Sequence, residues 1–265
     1  MTESATVPAR ALDALRRTLP SRLRAAGIHL GINAAIFLGT MYLLLVHWYP
    51  GFHFAVDGGW QGLRIMAAVD LVLGPTMTLI VFNPLKARKL IVFDLSCVGL
   101  AQLGALIWGF YAIHSQHPVV VSYYDGGFYS ATIAPLKIES YDVAQLADLS
   151  DRRPALVYVA EPADDQEEAR AAMQELVGKV GLHEDPFFFR RFAEHWPQVR
   201  PHAIEVAALS KDNAAFADEL PRFLESRGAQ AADYLYFPYE GRYGFCTLAF
   251  TPTGELVDAL GCETI

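Results

Sequence analysis

Cysteine is scarce: three in 265 residues, at positions that match neither C-x-x-C nor a zinc-ligand spacing. Cys97 falls in an apolar run and reads as packing. Cys246 and Cys262 lie in FCTLAF and ELVDALGC, on either side of a Thr-Pro-Thr-Gly turn, a pattern that predicts a β-hairpin. Folding the chain back at that turn brings Cys246 near Gly261. The spacing therefore permits a disulfide between Cys246 and Cys262, and it equally permits two free thiols. A G-x-S-x-G elbow is missing. His183, His195 and His202 are scattered, and Glu167 and Glu168 read as a solvated helix face rather than an acid–base pair. No catalytic residue, metal or cofactor is expected from such a pattern.

Charge is also missing where it would matter most. Residues 25–49 contain no Asp, Glu, Lys or Arg. The chain is 53% hydrophobic with a mean hydropathy of +0.23, and the excess is concentrated before residue 115. Three apolar runs, at 25–49, 63–82 and 90–114, reach the roughly 20 residues that a bilayer crossing needs. Arg64 and Asp70 interrupt the second run and Asp94 the third. The first run is longer than a signal-peptide core and no small-residue cleavage site follows it, which predicts an uncleaved signal-anchor.

Basic residues set the expected orientation. Arg10, Arg16, Arg17, Arg22 and Arg24 precede the first run, and Lys86, Arg88 and Lys89 lie between the second and third. The first loop holds only Asp57, and no Lys or Arg follows the third run until Lys137. The positive-inside rule then makes residues 1–24 cytoplasmic and residues 115–265 extracytoplasmic, in the bacterial case periplasmic. That last stretch carries 24 acidic and 12 basic residues, which excludes nucleic-acid binding as its role. Acidity there serves solubility in the simplest reading.

The predicted fold class is a three-helix transmembrane bundle followed by an extracytoplasmic α+β domain. In the outer domain, PVVVSYYDGGFYSATI reads as two strands around an Asp-Gly-Gly turn, and ALVYVAE as a short buried strand. DDQEEARAAMQELVGKV reads as a helix with acids in its first turns, apolar Ala169, Met173, Leu176 and Val180 at helical spacing, and Lys179 near its end. DPFFFRRFAEHW predicts a short helix opened by Asp185 and Pro186. Its aromatics read as core and its arginines as surface, with an exposed docking ridge as the alternative. DNAAFADELPRFLESRG predicts a helix capped by Asp212, carrying Pro221, and ended by Gly228.

The costly residues lie inside the apolar runs. VDLVLGPTMTLIVFNP, residues 69–84, holds both a carboxylate and a helix-breaking proline. Counting about 1.5 Å per residue, Asp70 and Gln102 sit at similar depth, roughly 18 Å from the cytoplasmic edge, and His29 and Asp94 are level at roughly 6 Å. These pairs are candidates for hydrogen bonds. Asn33 lies one turn beyond His29, and Asn83 closes the second run. Pro75 frees a backbone carbonyl near Leu71 for a neighbouring span or water. Gly27 and Gly31 form a G-x-x-x-G suited to close packing or homo-oligomerisation. Asp70, Gly74, Pro75 and Thr78 form an inward polar face. It can serve as a lock between spans, a partner contact, or a proton relay.

RLRAAGIHLGIN, WYPG, VDLVLGPTMTLIVFNP and KLIVFDLSCVGLAQLGAL, in that order over roughly residues 22–118, resemble the type IV pilin accessory proteins of Gram-negative bacteria. HPVVVSYYDGGFYSA is similar to that family's strand after the third span, and YLYFPYEGRYGFCTLAFTPTGELVDAL matches more loosely. The resemblance implies a non-enzymatic inner-membrane factor that assists pilin stability or assembly. Its implied partners are the major type IV pilin, pilus assembly platform proteins and the lipid bilayer. The positions that match the family pattern are Asp70, Gly74, Pro75, Asn83, Pro84 and Asp94. The alternative is a membrane-anchored enzyme acting on pilin or another envelope substrate through Asp70, His29 or Asp94.

Overall fold

The computed structural model describes residues 6–178 and 180–265. Glu3 of the N-terminal segment and Lys179 lie outside the described residues. Contacts divide the chain into two compact units: residues up to 43 with 61–113, and residues 44–60 with 114–265.

The first unit carries the membrane helices. Three helices are long and apolar enough to cross a bilayer: Arg16–Trp48 (span one), Gly59–Val81 (span two) and Arg88–Gln116 (span three). Span one continues a helix that begins at Thr6. Large apolar side chains such as Leu100, Ile107 and Trp108 point outward, more than 60% exposed, as a lipid-facing surface requires. A Cβ on Gly27 or Gly31 would meet nothing within 4 Å, so among the described residues neither glycine is in close contact with another span.

The second unit is built on a seven-stranded mixed sheet in the order β4-β3-β1-β2-β5-β6-β7. Its strands are β1 (Pro118–Tyr124), β2 (Gly127–Thr132), β3 (Ala155–Val159), β4 (Phe189–Arg191), β5 (Leu235–Gly241), β6 (Gly244–Phe250) and β7 (Leu256–Thr264). The β1–β2 hairpin forms at Asp125-Gly126, both with positive φ. β3 runs parallel to β1 and β5 parallel to β2; the other pairings are antiparallel. The strands bury both faces. Val121, Tyr123, Phe128, Phe237, Leu248 and Phe250 form one continuous aromatic-rich core. On the other face lie two smaller cores, one around Val120, Val157 and Phe188 and one around Phe216, Tyr236 and Ala249. This two-sided burial is why VVV and ALVYV read as continuous apolar runs rather than alternating ones.

Residues 44–60 belong to this sheet domain. Val56 is fully buried in the aromatic core, with Phe52 and Ala55 packed against it. The second unit therefore combines the segment between spans one and two with everything after span three.

Three local expectations differ from the structure. FFFRRF does not open a helix: Asp185 caps a single turn, Pro186–Phe188, then β4 pairs with β3, and the helix runs Phe192–Val199. Phe188, Phe189 and Phe192 are core, whereas Phe187 is half exposed. Asn213, not Asp212, caps the helix Ala214–Arg227, because Asp212 ends the preceding helix Val206–Asp212. The helix at 165–173 buries none of its residues: Met173 and Leu176, expected on its inner face, are exposed, and Val180 alone of that set is fully buried. Cys246 and Cys262 are joined by a disulfide across the β6–β7 hairpin.

Candidate functional site

Span two is an α-helix from Gly59 to Ala67, a π turn from Ala68 to Leu73, and an α-helix again from Gly74 to Val81. A π turn widens the ladder to i→i+5, and the Gly74 N–H accordingly reaches the Val69 carbonyl. The next rung would run from residue 75 to the Asp70 carbonyl, but residue 75 is proline and has no N–H. Asn33 of span one supplies the missing donor: its Nδ2 lies 2.5 Å from the Asp70 carbonyl oxygen. The same Nδ2 lies 3.3 Å from Gln102 Oε1, and Gln102 Nε2 of span three lies 3.4 Å from the Val69 carbonyl. All three spans thus meet at two backbone carbonyls of the π turn. Gly74 makes room for this: a Cβ there would collide with the Gln102 side-chain amide.

The seam continues along spans one and two. His29 Nδ1 and Thr78 Oγ1 are 2.5 Å apart. Arg22 donates to the Ile80 carbonyl at 3.0 Å, near the end of span two, where the last carbonyls have no helical partner. Asn83 Oδ1 then accepts the Leu85 N–H and shapes the turn to span three.

Two expected pairs do not form. Gln102 is level with Asp70 but bonds a carbonyl one residue away, not the carboxylate. His29 meets Thr78 rather than Asp94, and Asp94 pairs with Lys86. The Asp70 side chain is buried and accepts no hydrogen bond among the described residues. Its backbone, not its carboxylate, is what ties the spans together. Depth along a helix gives the level of a side chain but not the atom it meets.

A second polar cluster lies in the sheet domain, on residues that the sequence reading passed over. His53 Nδ1 is 2.6 Å from Asp57 Oδ2, the Tyr239 hydroxyl donates to the same oxygen at 2.8 Å, and the Arg242 N–H reaches Asp57 Oδ1 at 3.3 Å. His53, Asp57 and Tyr239 are all buried. Burial first, and then the Asp57 charge, pushes the Tyr239 hydroxyl well above the usual tyrosine range. The Tyr243 N–H adds a bond to the Val56 carbonyl at 2.7 Å. The cluster clasps residues 53–57 to β5 and the β5–β6 turn. Its signal in the sequence is the i, i+4 pair of His53 and Asp57 in an aromatic-rich loop.

Among the described residues no group of three His, Cys, Asp or Glu side chains could hold a metal ion. The clasp is sealed from solvent, so its arrangement holds structure rather than presenting a nucleophile and base to a substrate.

Known proteins resemble the chain over one stretch. It is 31% identical over 98 residues to "Fimbrial assembly protein, serogroup E1" of Dichelobacter nodosus, a match covering 37% of this chain and 38% of that protein. It is 30% identical over 98 residues to "Fimbrial assembly protein, serogroups C1 and C2" of the same organism, and there the match covers 75% of the relative. The chain belongs to the fimbrial assembly protein family. It spans 38% of the length of the serogroup E1 and serogroup I members that it matches. No family model matches the chain, and no solved structure matches it.

Proposed function

We propose that this fimbrial assembly family member is a non-enzymatic accessory factor of type IV pilus biogenesis in the bacterial inner membrane, assisting pilin stability or assembly. The observation that carries the reading is the similarity to fimbrial assembly proteins, joined to a three-span bundle with a polar seam. Residues 44–60 share a unit with residues 114–265, and three crossings put both segments on one side of the bilayer. The arginines before span one and the Lys86, Arg88, Lys89 cluster fall on the opposite side. By the positive-inside rule that side is cytoplasmic, which leaves the sheet domain periplasmic.

Asp70 is the residue we assign to partner contact. The lock between spans uses its carbonyl; the carboxylate is buried within the bundle, so a pilin helix reaches it only where the spans separate. The sheet domain contacts the pilin head through its surface rather than by strand addition, because side chains occupy both sheet edges. On β7, Glu219 and Asn213 take the N–H and carbonyl of Gly261, and Arg152 takes the Leu256 carbonyl. On β4, Arg190 and His195 take the Phe189 and Arg191 carbonyls. The test is gentle detergent extraction of the tagged protein from its native host, with mass spectrometry of the eluate. Major pilin or assembly platform subunits are the expected result; their repeated absence in several detergents would sink the proposal.

A further inference from the structure

The sheet domain contains a cavity of about 690 Å³ whose wall joins residues 46–48, the last of span one, to His117, which follows span three directly, and to the loop at 150–154. That volume suits a small molecule or a lipid headgroup. By chain connectivity the wall lies at the level where two spans leave the hydrocarbon.

Its charge runs against that of the domain. Residues 115–265 carry twice as many acids as bases, yet this cavity is lined by adjacent Arg152 and Arg153 with one acid, Asp151. Arg152 spends one N–H on the Leu256 carbonyl, at 3.2 Å. Arg153 has no carboxylate within ion-pair distance among the described residues. The Trp48 ring stacks on His117, centroids 6.1 Å apart, and His117 Nδ1 bonds the His114 carbonyl. Burial holds the His117 imidazole below its usual range, and the permanent positive charge of this lining is that of Arg152 and Arg153. Paired guanidinium groups beside an interfacial tryptophan suit a phosphodiester at headgroup depth.

We infer that this cavity binds the phosphate headgroup of an anionic phospholipid, held by Arg152 and Arg153 beside Trp48. The site acts independently of any pilin contact.

The test uses the full chain in phosphatidylcholine nanodiscs doped with phosphatidylglycerol, with bound lipid read by native mass spectrometry after release. Wild type should retain phosphatidylglycerol over phosphatidylcholine, and R152Q/R153Q should lower that retention roughly tenfold. Because Arg152 also bonds the chain, Arg153→Gln alone is the second variant and should give a smaller loss in the same direction. R190Q/R191Q, whose arginines do not line the cavity, should retain the lipid as wild type does. Millimolar inorganic phosphate should not displace it. Equal retention of the two lipids, no change in either cavity variant, an equal loss in R190Q/R191Q, or full displacement by inorganic phosphate would each overturn the inference.

Discussion

The two units bury opposite things. In the sheet domain Phe128, Phe237 and Phe250 pack ring against ring, with centroids 5.0 to 5.6 Å apart, and buried polar groups such as those of the clasp sit around an aromatic core. In the membrane unit the large apolar side chains face out, and what lies between the helices is Asn33, Gln102, Thr78 and the backbone of a π turn. The difference follows from solvent. Water drives apolar side chains together, so the sheet domain gains stability from area removed from it. Lipid offers no such drive, so the spans associate through small residues and hydrogen bonds that lipid cannot supply.

The largest effect should come from the aromatic core. Phe128→Ala should destabilise the sheet domain by about 4 kcal/mol, seen as a lowered unfolding midpoint in detergent. Leu100→Ala, a comparable loss of bulk on the lipid face, should leave the midpoint of the membrane unit nearly unchanged. Equal costs would erase the comparison.

Asp57→Ala comes next, at about 3 kcal/mol, because it removes the carboxylate that both the buried His53 imidazole and the buried Tyr239 hydroxyl bond. Limited proteolysis should then cut within residues 44–60. If the loop stays protected and the midpoint holds, the clasp is not what anchors that segment.

A pH effect sharpens the same contrast. Burial pushes the Tyr123 and Tyr236 hydroxyls up to about 12. A raised folded-state value means a contribution present below about pH 10 and lost as pH rises through about 12. The sheet domain should therefore weaken across that window, followed by tyrosinate absorbance together with near-ultraviolet dichroism. Absorbance that rises fully near pH 10 while the fold persists would contradict the burial argument.

The smallest stability effect should be that of Asp70→Asn, within about 0.5 kcal/mol, since the lock uses the carbonyl. Recovery of pilin with the tagged protein should nevertheless fall. A bundle that comes apart on this substitution would return Asp70 to a structural role.

The spans were readable because apolar length is a signal that composition carries directly, and the strands because β-branched and aromatic runs end at Asp-Gly and Thr-Gly turns. The π turn was not readable: no residue type encodes one, and Pro75 alone points to the carbonyl four residues back rather than five. The place of residues 44–60 in the sheet domain was hidden for another reason. Loop one is short between two spans, and its partners Tyr239 and Arg242 lie more than 180 positions away. FFFRRF misled because Asp-Pro opens helices and a single turn alike, and edge pairing with β3 decided between them.

The central structural claim is that Asn33 replaces the hydrogen bond that Pro75 cannot make. A double-mutant cycle on Asn33→Ala and Pro75→Ala, read as unfolding free energy of the full chain in one detergent, tests it directly. Asn33→Ala should cost about 1 kcal/mol in the native background and clearly less once residue 75 again carries an N–H. An Asn33→Ala cost that is the same in both backgrounds would show the two residues to be independent, and the account of the seam would fail.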